Sequence, residues 1–156
     1  MTGSGTLIQF VSRPSPLPAI PRHFAFLTAD GALFTGDAIL GNGTTIVEGN
    51  MQSYVESLRK MRARIPRRIY PGHGPHRDDA IEWIDYYIAH RLERERQVLD
   101  AVKNGARSAQ EIRAVVYPGV DPRLTGAAEL QVRAHLDDLV ARGRLLHSAD
   151  SYALPE

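Results

Sequence analysis

The sequence predicts an α+β fold that ends in a small winged-helix domain, and three observations carry that reading. Two short apolar runs, Phe24-Ala25-Phe26-Leu27-Thr28 and Ala32-Leu33-Phe34-Thr35, flank the turn Ala29-Asp30-Gly31, which is a hairpin signal. Apolar residues then recur at helical spacing after residue 50 and again after residue 78. The last fifty or so residues read as helix, helix, helix and two-stranded ribbon, the order expected of a winged helix. The organisation that follows is an irregular N-terminal segment over 1–22, a mixed domain over 23–104 and a winged-helix-like domain over 105–156.

Taken in order, the first segment holds one short strand at 6–11, because Gly3, Gly5 and the prolines at 14, 16, 18 and 21 prevent a helix. After the hairpin, Gly36-Asp37 ends the second strand, and Gly41, Gly43 and Gly49 make a loop. Met51, Tyr54, Val55, Leu58 and Met61 line one face of an amphipathic helix that Pro66 stops. Arg68-Ile69-Tyr70 is a short strand running into the Gly- and Pro-bracketed loop Pro71-Gly72-His73-Gly74-Pro75. A long helix over 78–103 has Ile81, Ile84, Tyr87, Ile88, Leu92, Val98, Leu99 and Val102 as its buried stripe, with Tyr86 also on the core face. Ser108-Ala109-Gln110-Glu111 matches a capping box and opens a helix through Val116. A further helix over 129–141 offers Leu130, Val132, Ala134, Leu136, Leu139 and Val140 to a core, and Gly143 ends it. Residues 145–147 and 152–154 form the terminal hairpin.

Composition bounds the chemistry. The chain has 156 residues and no cysteine, so disulfides and thiolate metal sites are excluded, and a metal must be held by His, Asp, Glu or carbonyl oxygen. A charge of +1, from 19 basic and 18 acidic side chains, argues against a strongly electrostatic nucleic-acid binder while leaving a local basic face open. No apolar run reaches the roughly 18 residues of a membrane span. Residues 1–10 carry neither a basic start nor an apolar run of signal-peptide length, so a soluble intracellular location, cytoplasmic or mitochondrial, is expected.

The candidate ligands are six histidines and the carboxylates, and two of these groups sit at strand ends. Asp37 follows Gly36, where the backbone can turn tightly at the edge of a buried strand; its alternative role is a turn carboxylate accepting backbone N–H bonds. His73 lies between two glycines, with little bulk to obstruct its imidazole; its alternative is a structural loop histidine. Together, separated by one helix, they suit two ligands converging on one edge of a sandwich.

Leu33-Phe34-Thr35-Gly36-Asp37, Gly41-Asn42-Gly43-Thr44-Thr45, Tyr70-Pro71-Gly72-His73-Gly74-Pro75 and His90-Arg91-Leu92-Glu93-Arg94-Glu95 resemble, in this order, the C-terminal half of a metallo-β-lactamase superfamily hydrolase. The branch resembled is that of beta-lactamase-like protein 2, with fungal polyketide-carrier thioesterases as relatives. The resemblance runs from about His23 to the C-terminus. It implies the second half of an αββα sandwich followed by the winged helix, and a centre of one or two Zn2+ ions. It also implies hydrolysis of an ester or thioester, or of single-stranded RNA as an endoribonuclease, by metal-bound hydroxide. Asp37 would be the carboxylate bridging two metals and His73 the last histidine ligand, so both are the catalytic candidates. His90 and Arg91, on the long helix, would lie near the substrate mouth and bind substrate; their local alternative is packing and pairing with Glu93 or Glu95.

The family's first metal motif, His-x-His-x-Asp-His, does not occur in the sequence. Leu17-Pro18-Ala19-Ile20-Pro21 stands where a Thr-Pro-Gly-His string is usual, and His23 falls in the register of a non-ligating histidine. A catalytic zinc needs at least three protein ligands, so zinc is expected to bind weakly or not at all. The chain reads as a truncated or degenerate member with reduced or no activity. The alternative is a non-catalytic winged-helix module that binds a partner chain or nucleic acid. Arg62, Arg64, Arg67 and Arg68, with Arg133, Arg142 and Arg144, would supply its phosphate contacts. An unpaired sheet edge at Phe24–Leu27 and Ala32–Thr35 would be open to a protein partner.

Overall fold

In a computed structural model, the structure describes residues 5–9, 24–47, 50–149 and 151–156. His23 and the 17–21 string lie outside the described residues. By contacts the chain divides into two units, one of residues 1–45 and 52–90, the other of residues 46–51 and 91–156.

The first unit is built on a four-stranded sheet in the order β1 (Gly5–Gln9), β2 (Phe24–Thr28), β3 (Ala32–Gly36) and β4 (Arg68–Pro71). The β1–β2 and β2–β3 pairs are antiparallel, and β3–β4 is parallel because helix α1 (Met51–Arg62) lies between them in the chain. Gly31, at φ +86°, closes the β2–β3 turn. Alternate residues face one side: Ala25, Leu33 and Ile69 are buried with Leu58 and Met61 of α1 and with Ile84 and Tyr87 of α2 (Ala80–Lys103). Phe26, Phe34 and Tyr70 pair in register on the other side, with Phe34 and Tyr70 stacked at 5.1 Å. The expectation of unpaired β2 and β3 is thereby corrected. Both are interior strands, because β1 pairs with β2 and β4 with β3.

The second unit holds α3 (Ala109–Val116), a 3-10 turn at Pro122–Leu124, α4 (Thr125–Ala141) and the antiparallel ribbon β5 (Leu146–Ser148) and β6 (Ser151–Ala153). Its core gathers Val98, Ala101 and Val102 of α2, Ile112 and Val116 of α3, and Val132, Leu136 and Leu139 of α4, with Leu145 and Tyr152. The capping box forms as expected: Ser108 accepts from the Glu111 N–H, and the Glu111 carboxylate accepts from the Ser108 N–H.

Three stripe assignments are corrected. Tyr86, Leu92 and Leu130 are exposed. In α2 the buried line runs through Ile84, Tyr87, Arg91 and Val98, so Arg91 occupies a core position and Leu92 falls outside it. Helix α4 begins four residues earlier than expected, and its buried line through Ala128, Gln131, Val132, His135, Leu136 and Leu139 leaves Leu130 opposite.

Candidate functional site

Parallel pairing explains how residues 36 apart in the chain meet. Neighbouring parallel strands end at the same edge of a sheet, the edge where open α/β sheets bind ligands. Gly36 of β3 is in register with Pro71 of β4, so Asp37 and His73 leave the sheet side by side. The Gly72 N–H donates to the Gly36 carbonyl at 2.7 Å, and the His73 Nδ1 lies 2.6 Å from the Asp37 Oδ1. With the proton on Nδ1 the imidazole donates to the carboxylate and keeps a lone pair on Nε2. Both side chains face solvent, Asp37 at 56% and His73 at 78% exposure. Gly72 is part of the fit, since a Cβ there would stand 2.8 Å from the Asp37 Oδ1.

The turn after Asp37 is held by side chains that sequence reasoning did not assign to the site. Tyr54 of α1 donates its hydroxyl to the Ala38 carbonyl at 2.7 Å, and Thr35 donates to the Ile39 carbonyl at 2.9 Å. Trp83 Nε1–H donates to the Leu40 carbonyl at 2.8 Å, and the Leu40 N–H donates to the Tyr87 hydroxyl at 2.7 Å. The Gly41 N–H then donates to the His73 carbonyl at 2.9 Å, joining the Asp37 and His73 loops. Helical spacing identified Tyr54 and Tyr87 as core residues; no pattern in the sequence announces which backbone atoms their hydroxyls reach.

His90, half-buried on α2, has its ring 6.1 Å from that of Tyr86. Arg91, in the second unit, is 1% exposed and donates to the Gln131 Oε1 at 2.6 Å, while Gln131 donates to the Val47 carbonyl at 3.2 Å. Several cations of the basic run are paired: Arg62 with Asp85, Arg68 with Asp78, Arg133 with Glu129, and Arg142 with Glu95 and Asp138. The Arg62 guanidinium holds the Asp85 carboxyl below the usual carboxylate range.

A carboxylate oxygen and an imidazole nitrogen are donor types that zinc accepts, and the contact holds the two side chains together at one sheet edge. Among the described residues, however, no group of three or more His, Asp or Glu is placed to hold a metal. Asp37 and His73 therefore fit part of a zinc donor set and do not complete one.

A sheet backed by helices, with an Asp and a His paired at adjoining parallel strand ends, is the arrangement that the resemblance to metallo-β-lactamase superfamily hydrolases implies. The model of the Beta-lactamase associated winged helix domain matches residues 108–152. The chain is 38% identical over 126 residues to the Beta-lactamase-like protein 2 homolog of Drosophila melanogaster, a match covering 79% of this chain and 43% of that protein. It is 40% identical over 91 residues to the Atrochrysone carboxyl ACP thioesterase of Aspergillus fumigatus, covering 58% of this chain and 29% of that protein. Among solved structures, a beta-lactamase domain protein from Burkholderia ambifaria shares the fold, with a TM-score of 0.73 and 24% identity over 99% of this chain and 49% of that one. Over most of its length the chain is thus similar to proteins of the metallo-β-lactamase superfamily, and its C-terminal part matches their associated winged-helix domain. It spans less than half the length of the relatives it matches. Among the described residues no helix is long and apolar enough to cross a membrane.

Proposed function

We propose that this chain supplies Asp37 and His73 as two ligands of a metal-dependent hydrolase centre, with an acyl thioester as the favoured substrate. The observation that carries the proposal is their 2.6 Å contact at adjoining strand ends. The thioester is favoured by the similarity to the fungal thioesterase over 91 residues; other esters and single-stranded RNA are the remaining substrate classes. A zinc ion in such a centre acts as Lewis acid and source of hydroxide. Two donors fall short of the three that a catalytic zinc requires, so the chain by itself holds the ion weakly and has reduced or no activity.

A second reading, a nucleic-acid-binding module, is favoured by Arg59, Lys60 and Arg62 in the last turn of α1, followed by exposed Arg64, Arg67 and Arg68. The carboxylate pairing of Arg62 and Arg68 weakens it.

Zinc uptake of the purified chain, measured by elemental analysis beside Asp37→Ala and His73→Ala, separates the two. The hydrolase reading expects weak uptake that both variants abolish. Uptake indifferent to both substitutions would refute it, and absence of zinc together with salt-sensitive RNA binding would establish the module instead.

A further inference from the structure

We infer that Tyr54 and Tyr87, with Thr35 and Trp83, form a clamp that sets the positions of Asp37 and His73, making the two tyrosine hydroxyls positioning groups for the pair. The inference rests on reading Asp37 and His73 as the working groups of the site. Three consecutive residues after Asp37 are each bonded to a side chain: Ala38 to Tyr54, Ile39 to Thr35, and Leu40 to both Trp83 and Tyr87. Ala38 and Ile39 are buried, so their polar backbone atoms need partners. A simple local turn would satisfy them from within the loop. Here the Ala38 N–H makes one such local bond, to the Thr35 carbonyl at 3.1 Å, while the other partners come from side chains of β3, α1 and α2, so those elements place the loop together with its own turn.

The clamping groups are themselves fixed. Tyr87 is wholly buried in the core of the first unit. Trp83 is stacked on Tyr86 at 5.0 Å and capped by the Arg77 guanidinium 4.0 Å from its ring centroid. The held segment ends at Gly41, whose N–H bonds the His73 carbonyl. Displacing Leu40 therefore moves Gly41 and with it the His73 loop, while displacing Ala38 moves the residue bonded directly to Asp37.

The test uses Tyr54→Phe, Tyr87→Phe and the double variant in the full chain, free of metal, with Ile84→Val, on the helix of Tyr87, as a packing control. Amide exchange at Gly41 and the NMR shifts of the His73 imidazole are read beside the thermal midpoint. Phenylalanine keeps the buried ring, so the fold survives. Each lost hydroxyl should raise Gly41 exchange roughly three- to tenfold, the worth of one hydrogen bond, and shift the His73 ring signals. Ile84→Val should lower the midpoint and move neither. If the double variant matches Ile84→Val at Gly41 and His73, the clamp is only packing and the inference fails. These signals need no metal, so they stand apart from the zinc measurement that tests the hydrolase reading.

Discussion

Gly41 shows how closely the Asp37 and His73 loops approach. A Cβ there would lie 2.1 Å from the Pro75 carbonyl oxygen and 2.6 Å from the Pro75 nitrogen, both backbone atoms with little room to yield. Gly41→Ala should therefore cost about 1–3 kcal/mol, the range of overpacking, measured by denaturant unfolding, and should separate the loops that carry Asp37 and His73. Unchanged stability would show that the Pro75 loop gives way. Arg91 teaches a different lesson at the same scale. Ile84, Arg91 and Val98 are seven residues apart on one helix, and that spacing puts Arg91 in the buried line, in keeping with the packing role that its place on the helix suggests. A leucine is the more usual core residue, so hydrophobic identity points to Leu92, while the heptad points to Arg91.

Among the elements, α3 was the most legible, since its start is encoded locally. Ser108 and Glu111 satisfy orphan N–H groups at the helix start without any distant partner. Ser108→Ala should cost about 1 kcal/mol in thermal or denaturant unfolding. The backbone N–H groups of Ser108 and then Arg107 hold the Glu111 carboxyl below the usual glutamate range. A carboxyl lowered on folding contributes stability that is fully present above its unfolded value of about 4.3. That contribution is lost as pH falls through the lower folded value. Unfolding followed from pH 6 downward should therefore show a smaller acid-side loss in Glu111→Gln than in the parent; identical pH profiles would refute the role. Helix α4 was less legible because polar Gln131 and His135 occupy its buried line while Leu130 faces out, so hydrophobic identity misplaced the phase.

Across the whole chain, what stands out is the uneven covering of the four-stranded sheet. One face is buried by α1 and α2, and the other shows Phe26 and Phe34 at 39% and 46% exposure beside Tyr70. Contiguous exposed apolar surface promotes association. Phe34→Ser should therefore reduce concentration-dependent light scattering while shifting the thermal midpoint little, because the ring is not part of the buried core. Equal scattering by parent and variant would place the association elsewhere. The sheet order also shows why the site was only partly readable. Gly36-Asp37 and Gly72-His73-Gly74 were visible as strand-end motifs, but their meeting depends on β3 and β4 being neighbours and parallel. Local information was enough for the turns, the cap, the winged-helix order and the strand-end positions of Asp37 and His73, because each is specified by residues within a few positions of one another. The 2.6 Å contact, the tyrosine and tryptophan bonds to the Asp37 loop and the burial of Arg91 are non-local. They depend on strand pairing and helix rotation, which are fixed when the core packs and which no short window of sequence contains.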